Sequence, residues 1–479
     1  MLFNSLSFAF FFPVVTIGYF ALPHRWRWAW LLLASCYFYM AFVPAYILIL
    51  FFVITVDYIA GITIEKARGQ RRKLFLVMSL LANIGTLALF KYFNFLNANL
   101  AGLADAIGWN YPIPMLNLIL PIGLSFHTFQ SMSYTIEVYR GKVNAERHPG
   151  IFALYVMFYP QLVAGPIERP YNLLPQFHRE QQFDYQRVTD GLKLMAWGFF
   201  KKLVIADRIA DFVNPIYNHP TEYQGVALIL ATLMFAYQIY CDFSGYSDIA
   251  IGAAQVMGFR LMNNFNRPYS ATSIADFWRR WHISLSSWFR DYLYIPLGGN
   301  RVPAWRHYFN LMVVFLISGL WHGANWTFVI WGGLHGLYLL VATWTQDVRA
   351  RIAQAIGLVR FPTAQKILAT SVTFLLVSFA WIFFRANSLG DAVYIVTHLI
   401  PPLNLATLSE IAFHLNRLKV ALPAIFVLEL VQLLQNRGSV REMLAKQPAW
   451  VRWAAYYALV MSILLLGKFA EQKFIYFQF

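Results

Sequence analysis

From Tyr308 to Trp344 the chain carries no lysine, arginine, aspartate or glutamate, yet it lodges His322 in the middle of that run. The stretch is long enough for two membrane passes at roughly 20 residues each. An ionisable side chain at membrane depth turns toward the bundle interior and is a functional candidate by default. Loss of hydration disfavours a charged imidazolium, so a neutral ring able to accept a proton is expected there. A general base in acyl transfer needs that state.

The rest of the chain agrees with a membrane setting. Of 479 residues, 59% are hydrophobic and 13% charged, with a mean hydropathy of +0.51. Soluble domains carry about 25% charged residues, so this is an all-α polytopic membrane protein. Apolar runs fall at 2–22, 28–43, 45–64, 74–90, 115–136, 151–165, 190–206, 224–241, 248–262, 308–320, 325–344, 366–384, 417–434 and 452–468. Several are short enough to be re-entrant or interfacial, which leaves about ten to twelve spans. No polar linker divides the chain, so a single membrane-embedded domain over 1–479 is expected, with C-terminal helices over 366–479. The segment from Pro401 to His414 is the expected mobile loop.

The formal charge of +16 sits in short loops between apolar runs, which points to membrane lipids as partners and excludes nucleic acid. Basic clusters at 24–27, 66–73 and 140–148 alternate with nearly uncharged loops at 41–44 and 92–114. That alternation predicts basic loops in the cytoplasm and an N-terminus outside. The run 2–22 has no basic leader and reads as a retained span.

Residues 273–294 read as one amphipathic helix opened by a Ser273–Asp276 capping box. Phe277, Trp281, Leu285, Trp288 and Tyr292 fall on one face; Arg279, His282, Ser286 and Arg290 fall on the other. An interfacial helix resting on lipid headgroups would look like this. So would a cationic surface on which Arg279, Arg280 and Arg290 recruit an anionic acyl donor, with His282 facing the same route. No metal is expected, because His282, His322 and His335 lack ligand-like spacing. Asp242, Ser244, Gly245 and Asp248 interrupt apolar sequence, as in a broken helix lining a cavity, and also as in a short loop at the membrane edge. Around His322, Gly319 and Gly323 have the spacing of close helix packing, while Ser318 and Asn325 lie one turn either side and could orient the ring.

Two motifs together carry a resemblance. Phe277-Trp278-Arg279-Arg280-Trp281-His282-Ile283-Ser284 and Gly319-Leu320-Trp321-His322-Gly323 resemble the membrane-bound O-acyltransferase family, in its bacterial alginate O-acetylation branch. The stretches 121–126, 164–167, 242–248, 264–269 and 290–300 extend the likeness, which is densest over 237–333. The resemblance implies a ring of helices around a central tunnel, with His322 as the essential intramembrane histidine and His282 as a second catalytic polar residue. It implies a multi-pass protein of the bacterial inner membrane with no bound cofactor, an acyl thioester such as acetyl-CoA as cytoplasmic donor, and an exported periplasmic acetyltransferase of the SGNH type as partner. The final acceptor would be a cell-envelope polysaccharide. Arg279, Arg280, Arg290, Asp242, Ser318 and Asn325 are the expected substrate-contacting residues. A polytopic transporter, built around a helix break at Asp242–Asp248, is the alternative of another class.

Overall fold

The computed structural model describes residues 1–163, 165–400, 405–469 and 474–475, without the side chains of 405–410. The regular structure of the described residues is helical, with no β-strand among them. Among the described residues six helices are long and apolar enough to cross a membrane, or seven if the bent pair Ile411–Arg417 and Ala421–Arg437, at 71°, is one span. That is fewer than the hydropathy runs suggested. The first run forms a helix of only 16 residues, Leu6–Ala21, and the run at 151–165 gives the short helix Pro149–Met157 and one turn, Tyr159–Leu162. Apolar sequence measures what can be buried, and in this chain much of it is buried against protein.

The chain divides into two compact units. The first comprises Met1–Met195 and Ser247–Met262. Its helix Leu124–Tyr139 is buried along nearly its whole length although Ser125, His127, Thr128, Gln130, Ser131, Ser133, Thr135 and Glu137 lie on it. Asp57 shows how such a polar interior is satisfied. Ser79 Oγ donates to one carboxylate oxygen at 2.6 Å, and Asn83 Nδ2 at 2.8 Å and Ser131 Oγ donate to the other. The expected span at 115–136 is not one helix. Residues 109–121, with Pro112, Pro114 and Pro121, are non-helical, and the helix begins only after Gly123. Gly123 has φ +79°, and a Cβ there would meet Leu162 O at 2.7 Å, so glycine is required twice over.

The second unit comprises Ala196–Tyr246 and Asn263–Phe479. The helix Val226–Met257 runs for 32 residues without interruption, so the expected break at Asp242–Asp248 does not exist. Two local facts replace it. Lys202 Nζ pairs with Asp242 at 2.6 Å and with Asp207 at 2.9 Å, all nearly sealed from solvent, which neutralises charge inside the fold. Gly245 is a contact point, since a Cβ there would lie 2.8 Å from Gly198 O. With its helix break gone, the transporter reading loses its structural support. Of the expected mobile loop, residues 401–404 lie outside the described residues, and Leu405–Arg417 is helical.

Three helices of this unit frame His322. Ala304–His322 and Trp326–Trp344 form a hairpin, and Pro362–Arg385 packs on the second of them. The hairpin closes on glycine, as the small-residue spacing predicts. A Cβ on Gly319 would lie 2.2 Å from Phe328 O, and one on Gly332 would lie 2.2 Å from Phe315 O. Backbone meets backbone along this seam. The helix Ala449–Leu466 has no fully buried residue, and many of its apolar side chains are exposed.

Candidate active site

The segment preceding the hairpin departs from the single amphipathic helix expected over 273–294. Ser273 does cap a helix, accepting from Asp276 N at 3.1 Å, but that helix ends after Ile274–Arg280. A second, Ile283–Phe289, follows, and Arg290–Tyr294 forms a wider π turn. Between the two helices His282 stands at φ +42°, in the left-handed region that non-glycine residues rarely occupy. Such strain persists only where surrounding contacts enforce it, and it gathers at functional sites. Here the residues 264–266 enforce it. Asn266 N donates to Arg280 O at 2.9 Å, Ile283 N to Asn264 O at 2.9 Å, and Ser284 Oγ to Asn264 Oδ1 at 2.6 Å.

The break separates what the helical wheel joined. His282 is fully buried, with its ring 4.7 Å from Phe243 and 6.1 Å from Trp321, whereas Arg279 and Arg290 remain exposed. Burial pushes the His282 pKa down from 6.5 to about 3, so this ring is neutral at physiological pH. His282 therefore does not share a surface with the arginines.

A cavity of about 290 Å³ lies beside the break. Arg279 and Arg290 line it together with Ser286 and Ser287; Ile283, Leu285, Leu311, Val314 and Phe315 form apolar wall, and Ser318 lines it too. Ser318 precedes His322 by one helical turn. Cationic residues, an apolar lining and a hydroxyl close to a buried histidine thus share one pocket, the general form of a small-molecule site.

His322 is the last residue of its helix and is only 4% exposed. Aromatic rings wall it in: Trp321 and Trp331 at 4.9 Å and Phe384 at 5.3 Å between centroids. Behind them His335 accepts a hydrogen bond at Nδ1 from Trp278 Nε1, 3.2 Å away.

Arg279, Arg290 and Ser318 are thus brought to one cavity, and three other expected residues are engaged elsewhere. Arg280 pairs with Asp276 at 2.9 Å and reaches Ser270 Oγ at 3.3 Å. Asn325 caps the next helix, accepting from Thr327 N at 3.0 Å, where it was expected to orient His322. Asp242 is held by Lys202 and by Ile475 N, which donates to Oδ2 at 2.8 Å. Sequence reasoning missed Trp278, Trp331 and Phe384. Trp278 lies within the Phe277–Ser284 motif, whereas Trp331 and Phe384 signal only aromatic enrichment, which any buried helix shares. Among the described residues no cluster of three or more His, Cys, Asp or Glu side chains is placed to hold a metal ion.

Known proteins share the sequence that builds this region. The family model described as "MBOAT, membrane-bound O-acyltransferase family" matches residues 77–355. The chain is similar to the probable alginate O-acetylase of Pseudomonas aeruginosa, 40% identical over 396 residues that cover 82% of this chain and 73% of the relative. It is similar to the peptidoglycan O-acetyltransferase of Helicobacter pylori, 37% identical over 431 residues, 83% of this chain and 79% of that one. The teichoic acid D-alanyltransferase of Bacillus subtilis is 28% identical over 243 residues, 47% of this chain and 60% of that protein.

Proposed function

The chain belongs to the membrane-bound O-acyltransferase family, and from that premise we propose that it passes an acetyl group from a cytoplasmic thioester to a cell-envelope polysaccharide, directly or through an exported SGNH-type acetyltransferase. It is a multi-pass membrane enzyme. We place it in the bacterial inner membrane with the N-terminus on the periplasmic face, in keeping with its basic loops.

The observation that carries the reading is the cavity in which Arg279 and Arg290 meet a wall reaching Ser318, one turn from His322. Guanidinium groups pair well with phosphates, so acetyl-CoA suits as donor: its phosphates at the arginines, its pantetheine arm along the apolar wall. The carbonyl then lies toward His322. The acceptor hydroxyl attacks that carbon, forming a C–O bond while its proton passes to the His322 ring. The resulting oxyanion collapses, the C–S bond breaks, and the departing sulfur takes the proton from the ring. Ester and free thiol leave, and the enzyme is unchanged. His282 acts as a positioning residue, neutral and packed against the same Trp321 that touches His322.

The test replaces His322 with alanine, confirms membrane insertion, and measures alkali-labile acetate on envelope polymer. Loss of acetate with normal insertion is expected; retained acetate removes His322 from the chemistry. Arg279→Glu with Arg290→Glu is expected to raise KM for acetyl-CoA while leaving the chemical step intact.

A further inference from the structure

One buried donor next to His322 has no acceptor. Trp331 is fully buried, and among the described residues its Nε1–H has no hydrogen-bond partner. A buried donor left unsatisfied is costly to the fold, so its presence calls for a reason. Trp331 is also held firmly. It stacks on Trp381 at 5.7 Å and 18°, and meets Phe384 at 5.2 Å and His335 at 5.1 Å. Its ring plane is nearly perpendicular to that of His322, at 86°, with the centroids 4.9 Å apart. Trp278, which lines the cavity, lies 5.7 Å from it between ring centroids.

We propose that the indole N–H of Trp331 is the oxyanion donor of this enzyme, binding the thioester carbonyl oxygen as negative charge gathers on it. The inference rests on the reading that His322 is the base. As the acceptor hydroxyl loses its proton to His322 and bonds to the carbonyl carbon, the carbon–oxygen π pair moves onto oxygen, and the Trp331 hydrogen receives it. When the C–S bond breaks the pair returns, and the sulfur leaves with the proton from His322. A donor with no resting partner breaks no bond to do this, and a ring fixed on several sides needs no reorganisation. Removing one oxyanion donor typically lowers kcat by about 10²–10³.

The experiment uses the full chain in proteoliposomes, turned over with acetyl-CoA and a hydroxyl-bearing polysaccharide while free thiol is followed. A parallel measurement of alkali-labile acetate in complemented deletion cells makes no assumption about the donor. Trp331→Phe keeps an aromatic ring and deletes the N–H. Its kcat and polymer acetate are expected to fall about 10²-fold or more, with KM for acetyl-CoA within about twofold and the unfolding temperature in detergent unchanged or higher. Trp331→His, which restores a ring N–H, is expected to recover part of the rate. Near-normal turnover and acetate in Trp331→Phe, or losses that track a fall in unfolding temperature, would overturn the proposal. His322→Ala separates the two ideas. If it is inert while Trp331→Phe is active, only the oxyanion assignment fails; if it stays active, the base assignment fails and this inference with it.

Discussion

At the scale of single residues, His282 and Asn325 make contrasting predictions. The His282 ring is held neutral by burial, with a pKa of about 3 against 6.5 when unfolded. The unfolded chain therefore binds a proton that the folded one refuses, and stability at this site is complete above pH 6.5 and declines as pH falls toward 3. Thermal unfolding of the detergent-solubilised protein is expected to move to lower temperature between pH 7 and pH 5, and less so in His282→Asn. An unchanged difference between the two proteins would contradict this. Asn325→Ala removes a helix cap and is expected to cost about 1 kcal/mol of stability, with turnover per folded molecule retained. If the variant folds normally but loses turnover, Asn325 acts on His322 after all.

Among the helices, the glycine seam and the buried lysine decide most. Gly332 and Gly333 are neighbours with opposite surroundings: a Cβ on the first would strike Phe315 O at 2.2 Å, on the second would come no closer than 3.6 Å to Leu316. Gly332→Ala is therefore expected to destabilise by about 1–3 kcal/mol or more and Gly333→Ala to be tolerated, as unfolding temperatures of the two variants would register. Lys202→Met leaves Asp207 and Asp242 facing each other inside the fold without their cation. A loss of about 3–5 kcal/mol is expected from breaking such a buried pair, and Asp207→Asn with Asp242→Asn in the same background should recover part of it. The hairpin and the capped start at Ser273 were legible from periodicity and small-residue spacing, which are local. The continuity through Asp242 was not, because its partner lies 40 positions earlier and no hydropathy window joins them. The break at His282 was equally hidden: the helical wheel assumes one axis, and the hydrogen bonds that bend it come from 264–266.

For the molecule as a whole, charge and apolar surface set the expected placement in the bilayer. The helix Ala449–Leu466 has no fully buried residue and exposes several large apolar side chains, as Pro44–Lys66 and Pro362–Arg385 do. These surfaces belong against acyl chains. Single cysteines placed in 66–73 and 140–148 are expected to react with an impermeant thiol reagent only in inside-out vesicles, and one in 41–44 only in intact cells; the reverse pattern would invert the proposed topology.

The helices that carry His322 and His335 meet peptide against peptide at Gly319 and Gly332, which leaves little room for one to slide past the other there. They must tilt or shift as a single lever. On the proposed chemistry, admission of the donor and departure of free thiol are expected to fall to the two short helices around His282, where the backbone turns at φ +42°.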